Sequence, residues 1–302
     1  MEYQEFVCAV EERMNQLMEG GRKASQYTVI KNNGTMKTGI VLETPGVNVS
    51  PTIYLEEFYQ GYLDGKPFAQ IVEEIFRFYH KIKCEESWNL SKIESYDRIR
   101  DRIVFKMIHT ERNEALLEML PHLEWLDLSI VFYALLDVDR QGTATMTISE
   151  GHLQHWKVTK EELFRVACDN VKRLLPAELY TMQRTMEDIL CFSSGKRQNL
   201  LEERTEGEKD WMYVLSNSIR SFGAACIVYP EVLELAAQVL KGDYYILPSS
   251  VHEVVLVPVS RGMEQEEMNE MVREINATQL EEEEILSDHV YIYKKEEGKV
   301  VM

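Results

Sequence analysis

Ser249, Ser250, His252 and Glu253 form the densest chemical group in the chain. They interrupt the apolar stretch YYILPSSVHEVVLVP, residues Tyr244–Pro258. A serine can attack or anchor, a histidine can move a proton, and a carboxylate can orient that histidine. A plainer reading competes. Serines close turns by bonding their own backbone, and in an extended segment His252 and Glu253 point to opposite faces. A nucleophilic Ser249 would also lack the glycine elbow that exposes such a serine. The turn reading outweighs catalysis.

A second chemistry becomes available if His252 and Glu253 meet Asp288 and His289 in space. Two imidazoles and two carboxylates suit a divalent ion and metal-assisted hydrolysis. Spacing cannot test this, and no metal site is assigned. His152 and His155 share a helical face, but no acid is placed to complete a ligand set, so a surface helix is expected. Asp137-x-Asp139 lacks the glycine and the final glutamate of a calcium loop. P-loop, dinucleotide, H-E-x-x-H and G-x-S-x-G motifs are all missing.

Composition narrows the class. The 302 residues suit one large domain or two ordinary ones, and 45% apolar residues exclude wholesale disorder. No run approaches the length of a membrane span. The acidic start MEYQEFVCAVEERM does not read as a signal peptide. Five cysteines without a C-x-x-C pair point to free thiols in a reducing compartment and away from structural zinc. The formal charge is −18. Residues 201–302 carry 21 acids and 9 bases, a net of −12. That field disfavours nucleic acid and anionic lipid as partners and favours solubility.

The elements that would position these groups follow from periodicity. Residues 2–19, 68–79 and 268–275 carry apolar stripes at helical spacing. Asn33-Gly34 predicts a hairpin between strands at 27–31 and 36–42. Residues 102–108 and 126–136 read as strands, the latter paired with 143–148 across the loop DVDRQG. A helix is expected over HTERNEALLEML, ended by Pro121. Thr159 and Glu162 form a capping box opening a helix, and Pro176 breaks it. A second helix is expected with Leu179, Met182, Met186 and Ile189 on one face. Residues 84–97 read as irregular, and 193–210 as a linker. Tyr244–Leu247 and Val254–Val257 predict a hairpin, and Asn276, Thr278 and Gln279 are expected past the end of the following helix.

The segments LPSSVHEVVLVP, NATQ and LSDHVYIY resemble the uncharacterised bacterial family catalogued as domain of unknown function 5688. SPTIYLEEFY, RIVFKMIHTERN, LDLSIVFYALL and GAACIVYPEVL look like its recurring blocks. The order of elements is more loosely similar to the YtpQ-like uncharacterised family. The resemblance implies a bacterial cytoplasmic protein and no particular activity. Its polar blocks are Arg112 and Asn113, Ser249 to Glu253, Asn276 to Gln279, and Asp288-His289. The candidate binding residues are therefore Arg112, Asn113, Ser249, Ser250, His252, Glu253, Asn276, Thr278, Gln279, Asp288 and His289.

The expectation is an α+β protein of two lobes, 1–192 and 211–302, joined by a polar linker at 193–210, each a small, mostly antiparallel sheet flanked by helices. Its expected role is binding or regulation, engaging a protein or small ligand through the C-terminal lobe. The metal-assisted hydrolase is the alternative. The sequence fixes no cofactor and no oligomeric state.

Overall fold

The computed structural model describes residues 1–46, 52–82, 95–139, 142–191, 199–203 and 210–302. The class is α+β, and every strand pairing among the described residues is antiparallel. Two units emerge from the contacts, Met1–Arg98 and Ile99–Met302.

In the first unit Asn33 and Gly34 take φ of 56° and 71°, the left-handed values a tight hairpin needs. They join β1 (Lys23–Ile30) to β2 (Met36–Glu43), and β3 (Thr52–Tyr54) pairs with β2. Helix α1 (Tyr3–Leu17) buries Phe6, Val7, Val10 and Met14, the stripe its spacing predicts. After α2 (Glu56–Leu63), α3 (Phe68–Ile82) adds Ile71, Val72, Ile75 and Tyr79 to the same core.

The second unit holds two sheets. In the first, β6 (Leu128–Asp139) pairs along one edge with β4 (Ile103–His109) and along the other with β5 (His122–Trp125) and β7 (Gly142–Thr147). Helix α4 (Glu150–Trp156) follows. His152 Nδ1 lies 2.8 Å from Ser149 Oγ and 3.0 Å from the Ser149 nitrogen, so this imidazole caps its own helix. Helix α5 (Lys160–Leu174) opens on Thr159, whose Oγ1 accepts the Glu162 N–H, and packs on β4.

The second sheet has the order β13-β12-β10-β11-β9-β8. Its strands are β8 (Ala177–Thr181), β9 (Tyr213–Asn217), β10 (Tyr244–Leu247), β11 (Val254–Pro258), β12 (Tyr291–Lys294) and β13 (Lys299–Val301). The expected hairpin is present, with Tyr244 opposite Pro258 and Leu247 opposite Val255. Both faces of β10 are covered, which is why YYIL is apolar throughout. Tyr245 and Leu247 pack with Met268 and Val272 of α8 (Gln265–Gln279). Tyr244 donates its phenol to the Leu233 carbonyl in α7 (Val232–Leu240).

Several local expectations are corrected. Leu179 lies in strand β8, and helix α6 begins only at Met182 (Met182–Cys191). Pairing with β9, where Leu179 lies opposite Leu215, outweighs the helical spacing of the side chains. HTERNEALLEML forms two single turns, Glu111–Asn113 and Glu114–Leu117. There Asn113 Nδ2 bonds the His109 carbonyl, a local bond that competes with helix entry. Asn276, Thr278 and Gln279 form the last turn of α8, since no glycine or proline stops it before Leu280.

Most of the stretch read as irregular at 84–97, most of the linker at 193–210, Arg140 and Gln141 of DVDRQG, and residues 47–51 lie outside the described residues. Strands β8 and β9, which flank that linker, belong to one sheet.

Candidate functional site

Strands β5 and β6 are joined by a two-residue turn, because Trp125 sits opposite Leu128. Leu126 takes φ 55°, a left-handed value that costs a leucine energy, and its side chain is exposed. The turn carries Asp127 at its second position. The Asp127 carbonyl accepts the Thr110 N–H at 3.0 Å, which draws the segment after β4 to the same place.

Asp127 collects partners from the C-terminal part of the unit. Its Oδ2 accepts Ser287 Oγ at 2.7 Å and lies 3.3 Å from His289 Nδ1, while its Oδ1 accepts the Tyr291 phenol at 2.7 Å. Burial raises the carboxyl's pKa, but the bonds from Ser287, Tyr291 and His289 outweigh it and hold the group below its usual range. A carboxylate only accepts, so His289 Nδ1 carries a proton, which in the neutral ring leaves Nε2 as an acceptor. The His289 side chain is 50% exposed against 15% for Asp127, so a largely covered anchor holds an accessible imidazole.

His109 approaches from the other side. Its Nε2 lies 3.8 Å from Asp127 Oδ2, and its Nδ1 accepts the Arg112 N–H at 3.3 Å. An accepting Nδ1 places the proton of neutral His109 on Nε2, towards the carboxylate. Burial lowers the His109 pKa, and the nearby Asp127 charge only partly offsets this.

Beside them, Arg112 Nη2 donates to Asp288 Oδ2 at 2.6 Å, and Asn276 Nδ2 donates to Asp288 Oδ1 at 2.8 Å and to the Ser287 carbonyl at 3.0 Å. A further contact joins Arg112 to Glu282 at 3.8 Å. Asn276 is buried, and its Oδ1 accepts no hydrogen bond from the described residues. Such an acceptor calls for a donor.

A separate cluster surrounds His252. Its Nδ1 accepts the Phe222 N–H at 3.2 Å, its ring stacks on Phe222 at 5.6 Å, and its Nε2 lies 3.8 Å from Glu284. Phe222 is itself left-handed, at φ 53°. Ser250 Oγ accepts the His252 N–H, and Ser216 Oγ donates to the His252 carbonyl. Gly223 fits here because no Cβ could: one would come within 2.1 Å of Ser216 Oγ and 2.6 Å of the His252 carbonyl.

A model of one protein family matches residues 3–295. The chain belongs to the family of unknown function DUF5688. No curated protein and no solved structure matches it.

Of the candidate binding residues, Arg112, Asn276, Asp288 and His289 meet in the network around Asp127. Asn113 supports it from beneath, through the His109 carbonyl. Ser250 and His252 belong to the second cluster. Ser249 and Glu253 contribute there through backbone: the Ser249 N–H bonds the Leu247 carbonyl, and the Glu253 carbonyl accepts the Ser250 N–H. Thr278 and Gln279 are exposed, and among the described residues their side chains bond within α8 and to each other.

Sequence reasoning missed Asp127, His109, Ser287 and Tyr291 in the first cluster, and Phe222 and Glu284 in the second. The one available signal was a lone aspartate between two strand-forming runs, a position where turns place functional groups. Among the described residues, no group of three or more His, Cys, Asp or Glu side chains is placed to hold a metal ion. No described helix is long and apolar enough to cross a membrane.

Proposed function

We propose that the chain is a binding protein, engaging a partner protein or small ligand through its C-terminal unit where His289 and Arg112 reach the surface. The observation that carries this reading is the Asp127–His289 pair. Its inner nitrogen is fixed 3.3 Å from a partly buried carboxylate, which leaves Nε2 of a half-exposed ring to meet an incoming group. Fixing a side chain in advance lowers the entropy lost on binding. The unpartnered Asn276 Oδ1 supports a ligand that brings a donor. Arg112 and Asp288, 176 positions apart, are joined here by a 2.6 Å bond.

The hydrolase alternative needs His252, Glu253, Asp288 and His289 as free, convergent donors. Instead both Asp288 oxygens accept N–H groups. His252 uses Nδ1 on a backbone amide and faces Glu284 with Nε2. These engagements favour binding over metal-assisted hydrolysis.

Native mass spectrometry of gently purified protein tests the reading. The expected result is a companion mass, protein or small molecule, that is lost in His289→Ala and retained in Thr278→Ala. A companion indifferent to His289→Ala, or a divalent ion lost with that variant, would overturn it.

A further inference from the structure

We propose that the groove between the β12–β13 hairpin and helix α7 binds a small organic cation, an aliphatic polyammonium compound. The groove has a volume of about 850 Å³, inside the range of small-molecule sites. Trp125 and Tyr293 give it an aromatic lining, and Glu231, Glu234 and Glu296 place carboxylates beside them. These glutamates are exposed, so they reach solvent-borne ligand without rearrangement.

Both halves of that lining point to the same ligand chemistry. An ammonium group is attracted to the face of an indole ring, here Trp125, and to carboxylates at short range. Methylene stems between ammonium groups pack on apolar surface, which Leu233 and Val300 provide here. Of the two lysines at the groove, Lys299 pairs with Glu297 at 2.6 Å. Lys295 is outnumbered by Glu231, Glu234 and Glu296. The field of Glu234 is felt at Tyr293, whose phenol is pushed up by burial and then by that charge.

The aromatic wall is firmly set. Trp125 meets Tyr291 edge-on at 5.5 Å, and Tyr293 stacks on Tyr244 at 5.2 Å. The wider charge of the chain, −18, concentrates cations at its surface. That field is diffuse, and the groove adds a shaped, partly apolar receptor to it.

Calorimetric titration of the full chain with spermidine is the test, with 1,8-octanediol and magnesium chloride as controls. The expected result is one saturable site for spermidine, none for the diol, and affinity weakened about tenfold by Glu234→Gln and about fivefold by Trp125→Leu. Glu234 is exposed, so its variant keeps the fold and remains informative even where Trp125→Leu does not fold. The proposal is overturned by the absence of saturable binding up to about 10 mM. It is equally overturned by competition from magnesium at matched ionic strength, or by affinity unchanged in Glu234→Gln, since either marks a diffuse field.

Discussion

Asp127 Oδ2 lies 3.3 Å from His289 Nδ1, although 162 positions separate the two residues. With Ser287 and Tyr291 on the same carboxylate, this pair pins the segment before β12 to the β5–β6 turn. Asp127→Asn keeps the shape and removes the charge that three donors share. Hydrogen bonds to charged groups contribute about 1.5–3 kcal/mol each and are not additive. The variant should lose about 2–4 kcal/mol of stability in urea denaturation, with an unchanged m-value.

Acid should weaken the same network in two stages. His109 and Asp127 both have folded-state pKa values below their ordinary ones. The unfolded chain therefore takes up each proton at a higher pH than the folded chain, so stability is lost as pH falls. The histidine contribution is complete above about pH 6.5 and declines below it, and the Asp127 contribution declines below about pH 4. Thermal midpoints measured across this range should show both steps. His109→Gln should remove the upper one, and an unaltered upper step would assign it to another group.

The Arg112–Asp288 bond is short but both side chains are about one-third exposed. A double-mutant cycle with Arg112→Ala and Asp288→Ala should give a coupling of only about 1 kcal/mol. A value several times larger would mean that solvent is excluded from the pair.

Gly223→Ala should be the most damaging of these changes. The added Cβ meets Ser216 Oγ, the His252 carbonyl and the Asn217 nitrogen at 2.1, 2.6 and 2.7 Å. Two of those atoms are backbone and cannot rotate away. A loss of more than about 3 kcal/mol is expected, seen as a collapsed melting temperature or insoluble expression.

Leu126→Gly should move stability the other way. The position is left-handed and exposed, so glycine relieves strain and forfeits little packing. A gain of about 0.5–1 kcal/mol is expected in the same denaturation assay. A loss would show that the leucine side chain contributes a contact worth more than the strain.

Local order was legible where one residue's neighbours in sequence decide its conformation. The Asn33-Gly34 hairpin, the Thr159 cap and the apolar arms of β10 and β11 all carry their signal within a few positions. Leu179 misled because its spacing from Met182 and Met186 is helical, while the strand β9 that captures it lies beyond any local window. The candidate site was half legible. Arg112, Asn276, Asp288 and His289 were singled out through the family resemblance, but their centre was not. Asp127 is one carboxylate in a turn, and its partners lie about 160 positions away. Hydrogen bonds across that separation leave no periodicity to read. The hairpin tip misled in the other direction, since Ser249 and Glu253 act there through backbone groups that any residue possesses.

The separation between Asp127 and its partners also imposes an order on biosynthesis. The ribosome delivers β4, β5 and β6 long before Ser287, His289 and Tyr291. Until they arrive, the β5–β6 turn holds a carboxylate whose three donors do not yet exist. Water must satisfy that group in every nascent intermediate, so the turn stays hydrated and cannot be sealed early. Docking of residues 287–291 then displaces this water and closes the unit in a late, long-range step. A chain stalled before that point would carry an open polar seam, a feature by which quality control could tell unfinished molecules from finished ones.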